Sequence, residues 1–229
     1  MNGVRAAYDL VAADYGRRSA GGLAGRPVDR AVLDAFAELV AGRTADGLPL
    51  GTDGPPPDQA PRVLDAGCGP GHVTAYLRGL GLDAFGLDLS PAMVEFARAA
   101  YPGVTFAVGS MTAPDAGDGE LDGLLAWYST IHLTEDELRV AIGEFRRVLR
   151  PGGVLLLAFQ TGDTPVHVSH GFGHDISLVV RRRQPGHVAR LLEDVDLPVF
   201  AQVSREPDGG EGSGRAYLLA RRARRPKGQ

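Results

Sequence analysis

The sequence predicts an α/β fold: a seven-stranded, mainly parallel sheet with helices on both faces and an antiparallel last strand. From residue 62 onward, short apolar segments alternate with helical segments, which is typical of a parallel sheet covered on both sides. The glycine-rich turn 208–214 separates the final two strands and indicates a hairpin, so the last strand is antiparallel. The length of 229 residues fits one such domain with a short cap.

Two helices are predicted before the sheet, at residues 4–15 and 28–41, the second from apolar residues that recur at helical spacing. Residues 42–61 hold five prolines and four glycines, a composition that indicates a flexible linker or a surface loop. The predicted units are therefore an N-terminal cap of helices and linker at 1–61, an α/β core at 62–221 and a solvated basic tail at 222–229.

Seven strands and four helices are predicted in the core. The strands are placed at 62–66, 84–89, 104–108, 121–128, 154–159, 198–204 and 215–220, and the helices at 71–79, 91–100, 134–149 and 185–195. Ser90 before Pro91 is a helix cap, and Thr134 with Glu137 forms a capping box. The segment after the fifth strand is predicted to be a glycine-containing loop that forms a lid over the substrate.

Composition excludes several classes of function. A net charge of −4 does not favour a nucleic-acid partner, and no apolar stretch is long enough to span a membrane. The single cysteine, Cys68, cannot form an intrachain disulfide, and the first residues do not resemble a signal peptide. We therefore expect a cytoplasmic monomer or homodimer that acts on a small molecule, without a membrane or nucleic-acid partner.

The first predicted strand of the core runs into the glycine loop 65–71, Asp-Ala-Gly-Cys-Gly-Pro-Gly. Parallel sheets bind ligands beyond the carboxyl ends of their strands, and glycines let a ligand approach the backbone closely. Asp88 ends the second strand, 21 residues after Gly67, where a carboxylate can accept hydrogen bonds from both ribose hydroxyls. The glycine loop and Asp88 together predict a nucleoside ligand. The alternative is a glycine turn that only packs a helix against a strand.

The loop departs from the dinucleotide fingerprint, because His72 stands where that pattern has its third glycine. Asp65 would repel a pyrophosphate, but it suits a ligand that carries a cationic amino group and no phosphate. S-adenosylmethionine is such a ligand. A phosphate-binding Gly-Lys-Ser/Thr sequence does not follow the loop, so a nucleoside triphosphate is also disfavoured.

Three segments together resemble the class I S-adenosylmethionine-dependent methyltransferases. Residues 63–72 resemble the first motif of that family, residues 86–93 its second motif, and residues 145–153 the helix and turn before its fifth strand. The likeness runs from about Tyr8 to the C-terminus, with the motifs in the family's order. It implies a Rossmann-like sheet, S-adenosylmethionine as cofactor and S-adenosylhomocysteine as product.

The resemblance also implies residue roles around the cofactor. It assigns the methionine part to the glycine loop, the ribose to Asp88, and the remaining contacts to the ends of the second, third and fourth strands. The cofactor-binding residues expected in this way are Asp65, Ala66, Gly67, Gly69, Asp88, Leu89, Met93, Ser110, Met111, Ala126 and Trp127. In the N-terminal helix, Tyr15 is expected at the cofactor carboxylate, with simple packing as the alternative.

His132 is the first candidate for a general base, because an unperturbed histidine titrates near neutral pH. Tyr128, His132 and His170 are expected to face the substrate, and an exposed histidine before a helix is the alternative for His132. His167, His170 and His174 fit a substrate lid better than a metal site. We expect Arg181–Arg183 to form a solvated charged edge and not an anion site. We expect Cys68 to be a packed thiol and not a nucleophile.

The function predicted from the sequence is methyl transfer to an O or N atom of a small molecule in secondary metabolism. The fourth strand does not end in the Asn/Asp-Pro-Pro-Tyr sequence that resembles amino-methylating DNA enzymes. Three alternatives remain: an enzyme of the same fold with other cofactor chemistry, a nonenzymatic S-adenosylmethionine-binding protein, and a nicotinamide-dependent oxidoreductase, which Asp65 and His72 disfavour.

Overall fold

The computed structural model describes residues 2–19, 21–42, 50 and 59–224. The helices are α1 Asn2–Ser19, α2 Pro27–Ala41, α3 His72–Gly79, α4 Pro91–Ala100, α5 Glu135–Val148 and α6 Pro185–Glu193, with a short 3₁₀ turn at Thr130–His132. The strands are β1 Arg62–Ala66, β2 Asp83–Asp88, β3 Phe106–Val108, β4 Leu121–Trp127, β5 Leu149–Gln160, β6 Val166–Gly171, β7 His174–Val180, β8 Val199–Arg205 and β9 Arg215–Arg221.

Seven of these strands form one sheet in the order β3-β2-β1-β4-β5-β9-β8. The pairs from β3 to β5 are parallel, whereas β9 lies antiparallel to both β5 and β8. The predicted sheet with an antiparallel last strand is therefore confirmed. The strand order reverses between β1 and β4, so a crevice opens at their carboxyl ends.

Helices cover both faces of this sheet, which is why β4 and β5 are buried along most of their length. On one face, α5 packs through an apolar stripe that includes Leu138, Ile142 and Phe145. On the other face, α2 contributes Phe36 and α3 contributes Leu77. The N-terminal helix α2 is thus part of the core packing and not only a cap.

The two predicted helix starts are confirmed. The Ser90 side chain accepts a hydrogen bond from the Met93 backbone N–H at the start of α4. The Thr134 hydroxyl accepts from the Glu137 N–H, and the Glu137 carboxylate accepts from the Thr134 N–H, which completes the capping box of α5. These caps set the chain direction immediately after β2 and just before α5.

The lid segment is a β-hairpin of β6 and β7, so the prediction of a loop between residues 160 and 184 is wrong. Phe172 and Gly173 form its two-residue turn, with φ of 57° and 90°, the left-handed conformation that matches strand twist. Gly171 and Gly173 therefore mark a tight turn rather than an irregular segment. The third strand also begins two residues later than predicted, at Phe106.

Most of the predicted linker 42–61 and of the basic tail 222–229 lies outside the described residues. In the parts of the chain that the structure does describe, no helix has both the length and the apolar character to cross a bilayer.

Candidate active site

The glycine loop follows β1 and turns through left-handed glycines. Gly67 has a φ of 82°, and a Cβ placed there would lie 2.3 Å from the Cβ of Ser129. The backbone N–H groups of Gly67 and Cys68 both donate to the carbonyl of Leu87 at the end of β2. The Ser129 hydroxyl donates to the Ala66 carbonyl at 2.6 Å, so the segment after β4 closes against the loop. This close packing explains why the position requires glycine.

Asp65 is the second-last residue of β1 and is only 1% exposed. Its Oδ2 accepts a hydrogen bond from the Thr74 hydroxyl at 2.7 Å, whereas Oδ1 has no hydrogen-bond partner among the described residues. Burial raises the pKa of this carboxyl to about 7. Asp65 lines a cavity, and a buried carboxylate oxygen without a donor fits a cationic ligand group such as an ammonium.

Asp88 lies at the end of β2, on the same cavity. Its Oδ2 accepts from the Gly69 N–H at 2.8 Å and its Oδ1 from the Ser90 N–H at 2.9 Å. Burial raises the pKa of this carboxyl, and the two backbone N–H groups counteract that rise. Each oxygen keeps a second lone pair, so the oriented carboxylate can still accept hydrogen bonds from two vicinal hydroxyls.

Tyr8 of α1 and His132 form a hydrogen-bonded pair in the wall of this cavity. The Tyr8 Oη lies 2.7 Å from His132 Nε2, and His132 Nδ1 lies 3.0 Å from the carbonyl oxygen of Val179. A carbonyl only accepts, so we assign the ring proton to Nδ1 and the acceptor role to Nε2. Burial lowers the pKa of His132 and raises that of Tyr8, so both are neutral near pH 7.

Comparison with known proteins identifies the core. A family model described as "Methyltransferase domain" matches residues 63–153, which include the glycine loop, Asp88 and the start of β5. The matched residues form a methyltransferase domain of the class I S-adenosylmethionine-dependent type. The cofactor of this domain is S-adenosylmethionine, as the motifs predict.

Two relatives show how far the likeness extends. A malonyl-[acyl-carrier protein] O-methyltransferase of Dechloromonas aromatica is 33% identical over 184 residues, 76% of this chain and 65% of the relative. An uncharacterized methyltransferase of Oceanobacillus iheyensis is 31% identical over 139 residues, 61% of this chain and 62% of the relative. The chain thus spans less than two thirds of the length of either relative.

Solved structures confirm the fold. The 1,6-didemethyltoxoflavin-N1-methyltransferase of Burkholderia thailandensis, with 1,6-didemethyltoxoflavin and S-adenosylhomocysteine bound, aligns with a TM-score of 0.61 and 21% identity, over 93% of this chain and 89% of its own. A methyltransferase of Methanosarcina mazei aligns with a TM-score of 0.66 and 16% identity, over 72% of this chain and 94% of its own. At these identities the likeness concerns the fold.

The structure brings most of the predicted site residues of the methyltransferase together on one cavity. Those that line it are Tyr15, Asp65, Gly67, Gly69, Asp88, Leu89, Ser110, Met111, Trp127, Tyr128 and His132. Three others, Ala66, Met93 and Ala126, are fully buried beside it. His170 does not line the cavity: it lies on the exposed hairpin and contacts Asp175 at 3.1 Å. Their assigned roles stay predictions.

The hairpin of β6 and β7 reaches α1 at the outer side of the site. The Phe172 ring at its turn packs edge-on against the Tyr15 ring, with centroids 4.7 Å apart. His174 Nε2 lies 3.0 Å from the Asp14 carboxylate. In the described part of the chain, no group of three His, Cys, Asp or Glu side chains is arranged to hold a metal ion. His167, His170 and His174 each contact a different partner.

The arginine run after β7 is not the solvated edge that the sequence predicts. Arg183 is only 7% exposed, and its guanidinium donates to the carbonyls of Thr130 and Leu133. Arg181 donates to the carbonyl of His132 at 2.9 Å. A guanidinium offers five donors, which suits it to hold the irregular segment that carries His132. Cys68, by contrast, is a buried packed thiol as predicted, and burial raises its pKa.

Sequence reasoning missed several cavity residues, above all Tyr8 as the partner of His132, and also Arg26 and His72. Burial lowers the pKa of His72 to about 4, so this ring is neutral. Tyr8 lies two helical turns before Tyr15 on α1, and this spacing is the one sequence signal that pointed toward it. Arg26 stands just before Pro27 at the start of α2, where a helix signal is present but no ligand signal.

Proposed function

We propose that the protein methylates an oxygen or nitrogen atom of a small molecule, as a cytoplasmic enzyme of secondary metabolism that acts as a monomer or homodimer. The observation that carries the proposal is the Tyr8–His132 pair on the same cavity as Asp65 and Asp88. This cavity holds the two aspartates that would bind the cofactor and a pair of side chains that can accept a proton. Methyl transfer to an acceptor that carries a proton requires both. The net charge of −4 supports an acceptor other than a nucleic acid.

The cofactor fits the residues that line this cavity. Oδ1 of Asp65 is free to accept from the amino group of S-adenosylmethionine, and the oriented carboxylate of Asp88 can accept from its ribose hydroxyls. Leu89 and Met111 supply apolar surface for the adenine. When bound, S-adenosylmethionine supplies a methyl group on a positively charged sulfur, which a lone pair of the acceptor can take.

The proton of the acceptor has a defined route in this cavity. Nε2 of His132 already accepts from Tyr8, so the atom of this pair that can still accept a proton is the Tyr8 Oη. The acceptor proton would pass to Tyr8 while Tyr8 passes its own proton to His132 Nε2. Because burial raises the pKa of Tyr8, a free phenolate is disfavoured and the two transfers would be coupled. This route refines the role predicted for His132.

Apolar and aromatic side chains form two walls of the cavity and would limit the access of water to the transfer. Val4, Tyr8 and Tyr15 of α1 form one side, and Trp127 and Tyr128 at the end of β4 form another. The rings of Trp127 and Tyr128 meet edge to face with centroids 5.3 Å apart. An apolar enclosure strengthens the electrostatic contacts inside it and orients the acceptor toward the cofactor.

The proposal is tested by methyl transfer from cofactor labelled on the methyl group. The protein is incubated with a metabolite extract, with a set of phenols, with a set of primary amines and with malonyl-acyl-carrier protein, and labelled products are identified by mass. We expect label in a small phenolic or amine product, and at least about tenfold less label with the Asp88→Ala variant at a cofactor concentration below the Kd. Label found only in malonyl-acyl-carrier protein would contradict a small-molecule acceptor. It would favour the acceptor that is named for the Dechloromonas aromatica relative. No label in any arm would contradict the proposed activity.

A further inference from the structure

A second cavity, the arginine groove, is lined by the loop after β5, the run Arg181–Arg183 and the starts of α5 and α6. Its volume of about 420 Å³ is within the range of pockets that hold small molecules. None of the residues that line it also lines the cofactor cavity. The arginine groove is therefore a separate site, and the activity proposed above does not use it.

The arginine groove has more guanidinium groups than carboxylates. In the described part of the chain, none of the three side chains of Arg181–Arg183 forms a salt bridge. Two carboxylates share the groove, and each has another partner. Glu135 contacts Arg139 at 3.2 Å, and Asp163 accepts a hydrogen bond from the Gln184 amide at 2.9 Å. The groove is thus positively charged, and its arginines have no carboxylate of the protein as a close partner.

Arg183 is the buried member of the run. Its guanidinium donates only to backbone carbonyls, those of Thr130, Leu133 and Arg181. Burial lowers the pKa of this side chain, and the charge of Arg181 acts in the same direction, whereas Glu135 opposes both. Buried charges in proteins are normally paired with an opposite charge, and a carbonyl supplies only a partial one. An anion in the groove would therefore stabilise the charged form of Arg183.

Arg182 is the member of the run whose donors are unused. Arg181 and Arg183 donate to carbonyls in the segment that carries His132, whereas Arg182 has no hydrogen bond or salt bridge with a described residue. Its stem packs against Gly162, where an added Cβ would lie 3.0 Å from the Arg182 Cδ. The nine-residue helix α6 also begins at the groove without a side-chain cap, so the partial positive charge of its first N–H groups adds to that of the arginines.

We propose that the arginine groove binds a phosphate group, either as the free ion or as the phosphomonoester of a small molecule. A guanidinium presents paired N–H donors that match two phosphate oxygens, and a phosphate carries between one and two negative charges near neutral pH. Arg182 makes the direct contact with its unused donors, and Arg181 and Arg183 add charge to the wall. The bound phosphate lies beside the segment that carries His132 and outside the cofactor cavity.

The test measures the Kd of inorganic phosphate and of phenyl phosphate for the full chain by calorimetry at constant ionic strength, with and without S-adenosylhomocysteine. We expect Arg182→Gln to weaken phosphate binding by at least about tenfold, the range of a hydrogen bond to a charged group. Because Arg182 bonds no other described residue, this variant leaves the packing of the groove intact. Arg182→Lys keeps the charge but lacks the paired donors, so it should lose less than Arg182→Gln.

Arg190→Gln is the matched control, since Arg190 is an exposed arginine of α6 that does not line the arginine groove. It should change the Kd of phosphate less than about twofold, because solvent and salt screen an exposed charge. Equal weakening by Arg190→Gln and Arg182→Gln would show a general effect of charge and overturn the proposal.

The two probes identify the source of the phosphate. Tighter binding of phenyl phosphate would assign the groove to a phosphomonoester, and binding no tighter than that of inorganic phosphate would assign it to the free ion. Wild-type protein that binds neither probe, or an unchanged Kd in Arg182→Gln, would overturn the proposal. Loss of phosphate binding when S-adenosylhomocysteine is added would overturn it as well, because the phosphate would then occupy the cofactor cavity.

Discussion

Two regions of the cavity position their polar side chains differently. One is the edge, formed by the ends of β1 and β2, and the other is the cover, formed by α1 and the β6–β7 hairpin. At the edge, Asp65 bonds Thr74 nine residues away and Asp88 bonds Gly69 nineteen residues away. At the cover, Tyr8 and His132 are 124 residues apart, and Asp14 and His174 are 160 residues apart. The two carboxylates of the cofactor side are thus held by local contacts, whereas the proton-accepting pair and the hairpin contact depend on long-range packing.

This difference predicts that the two regions can be separated by mutation. Changes at the Tyr8–His132 pair should reduce transfer and leave cofactor binding intact, and changes at Asp65 or Asp88 should weaken cofactor binding directly.

The largest effect is expected from the Tyr8–His132 pair. With an acceptor identified as above, Tyr8→Phe and His132→Gln should each lower kcat by about a hundredfold or more, because they interrupt the proton route. The Kd for S-adenosylhomocysteine should change less than about threefold. His167→Gln is the control, since that histidine lies on the exposed hairpin and bonds Ser177. Equal losses in kcat and in cofactor affinity would contradict a separate acceptor side.

The pH profile gives the same pair a second test. Burial lowers the pKa of His132, with Arg181 acting in the same direction, while the hydrogen bond to the Val179 carbonyl opposes them. The histidine is therefore neutral and able to accept a proton throughout the neutral range. We expect kcat to fall on the acid side, only below pH 6.5, the ordinary histidine pKa. Glu137 and Tyr8 also line the cavity. If His132 causes the fall in kcat at acid pH, that fall should be absent from the His132→Gln variant.

The next effect is expected at Asp88. Asp88→Ala removes the acceptors for the ribose hydroxyls and for the Gly69 and Ser90 N–H groups, so cofactor affinity should fall at least about tenfold. Calorimetry with S-adenosylhomocysteine measures the loss. Asp88→Asn, which keeps one acceptor oxygen, should lose less. An unchanged Kd in Asp88→Ala would place the ribose contact elsewhere.

Asp65 should make cofactor binding depend on pH. Its pKa is raised to about 7 by burial, so the carboxyl binds protons as pH falls below 7 and then no longer attracts an ammonium. We expect about tenfold weaker S-adenosylhomocysteine binding at pH 6 than at pH 8, with proton release on binding near neutral pH. Asp65→Asn should remove this dependence. A wild-type affinity that is flat with pH would contradict the ammonium contact.

The same shift has a consequence for stability in the absence of cofactor. The native state holds the Asp65 proton up to about pH 7, whereas an unfolded aspartate loses it near pH 3.8, so the native state binds more protons between these values. Stability should therefore decrease as pH rises through this window. Asp65→Asn should flatten that slope and raise Tm at pH 8 by at least about 2 °C. An unchanged Tm at that pH would mean that the carboxylate is stabilised by contacts other than those seen.

The smallest effect is expected at the contact between the hairpin and α1. The His174–Asp14 pair is about one third exposed on each side, so His174→Ala should lower Tm by at most about 2–4 °C. Hydrogen exchange in α1 should become faster, and cofactor affinity should change less than about threefold. A larger loss of cofactor affinity than in Asp88→Ala would reverse the ranking of the two regions.

Much of the fold was predictable from the sequence, for reasons that particular residues make clear. Strand and helix segments alternate visibly, and Ser90 and Thr134 cap helices through bonds to residues three positions away. The hairpin was missed because its two strands are short and polar on one side, and because glycine favours both loops and tight turns. Arg183 was misassigned because a run of charges is usually solvated, whereas here backbone carbonyls enclose it.

The sequence by itself determined the cofactor side of this protein: the glycine loop, Asp65 and Asp88 act through neighbours within about one β-α unit, so their pattern is visible in the chain. Only the tertiary structure decided the acceptor side. The pairing of Tyr8 with His132, the contact of the hairpin with α1 and the hydrogen bond from Tyr217 to Asp29 join distant segments. Such contacts are selected by packing of whole elements, which no local spacing of residues encodes.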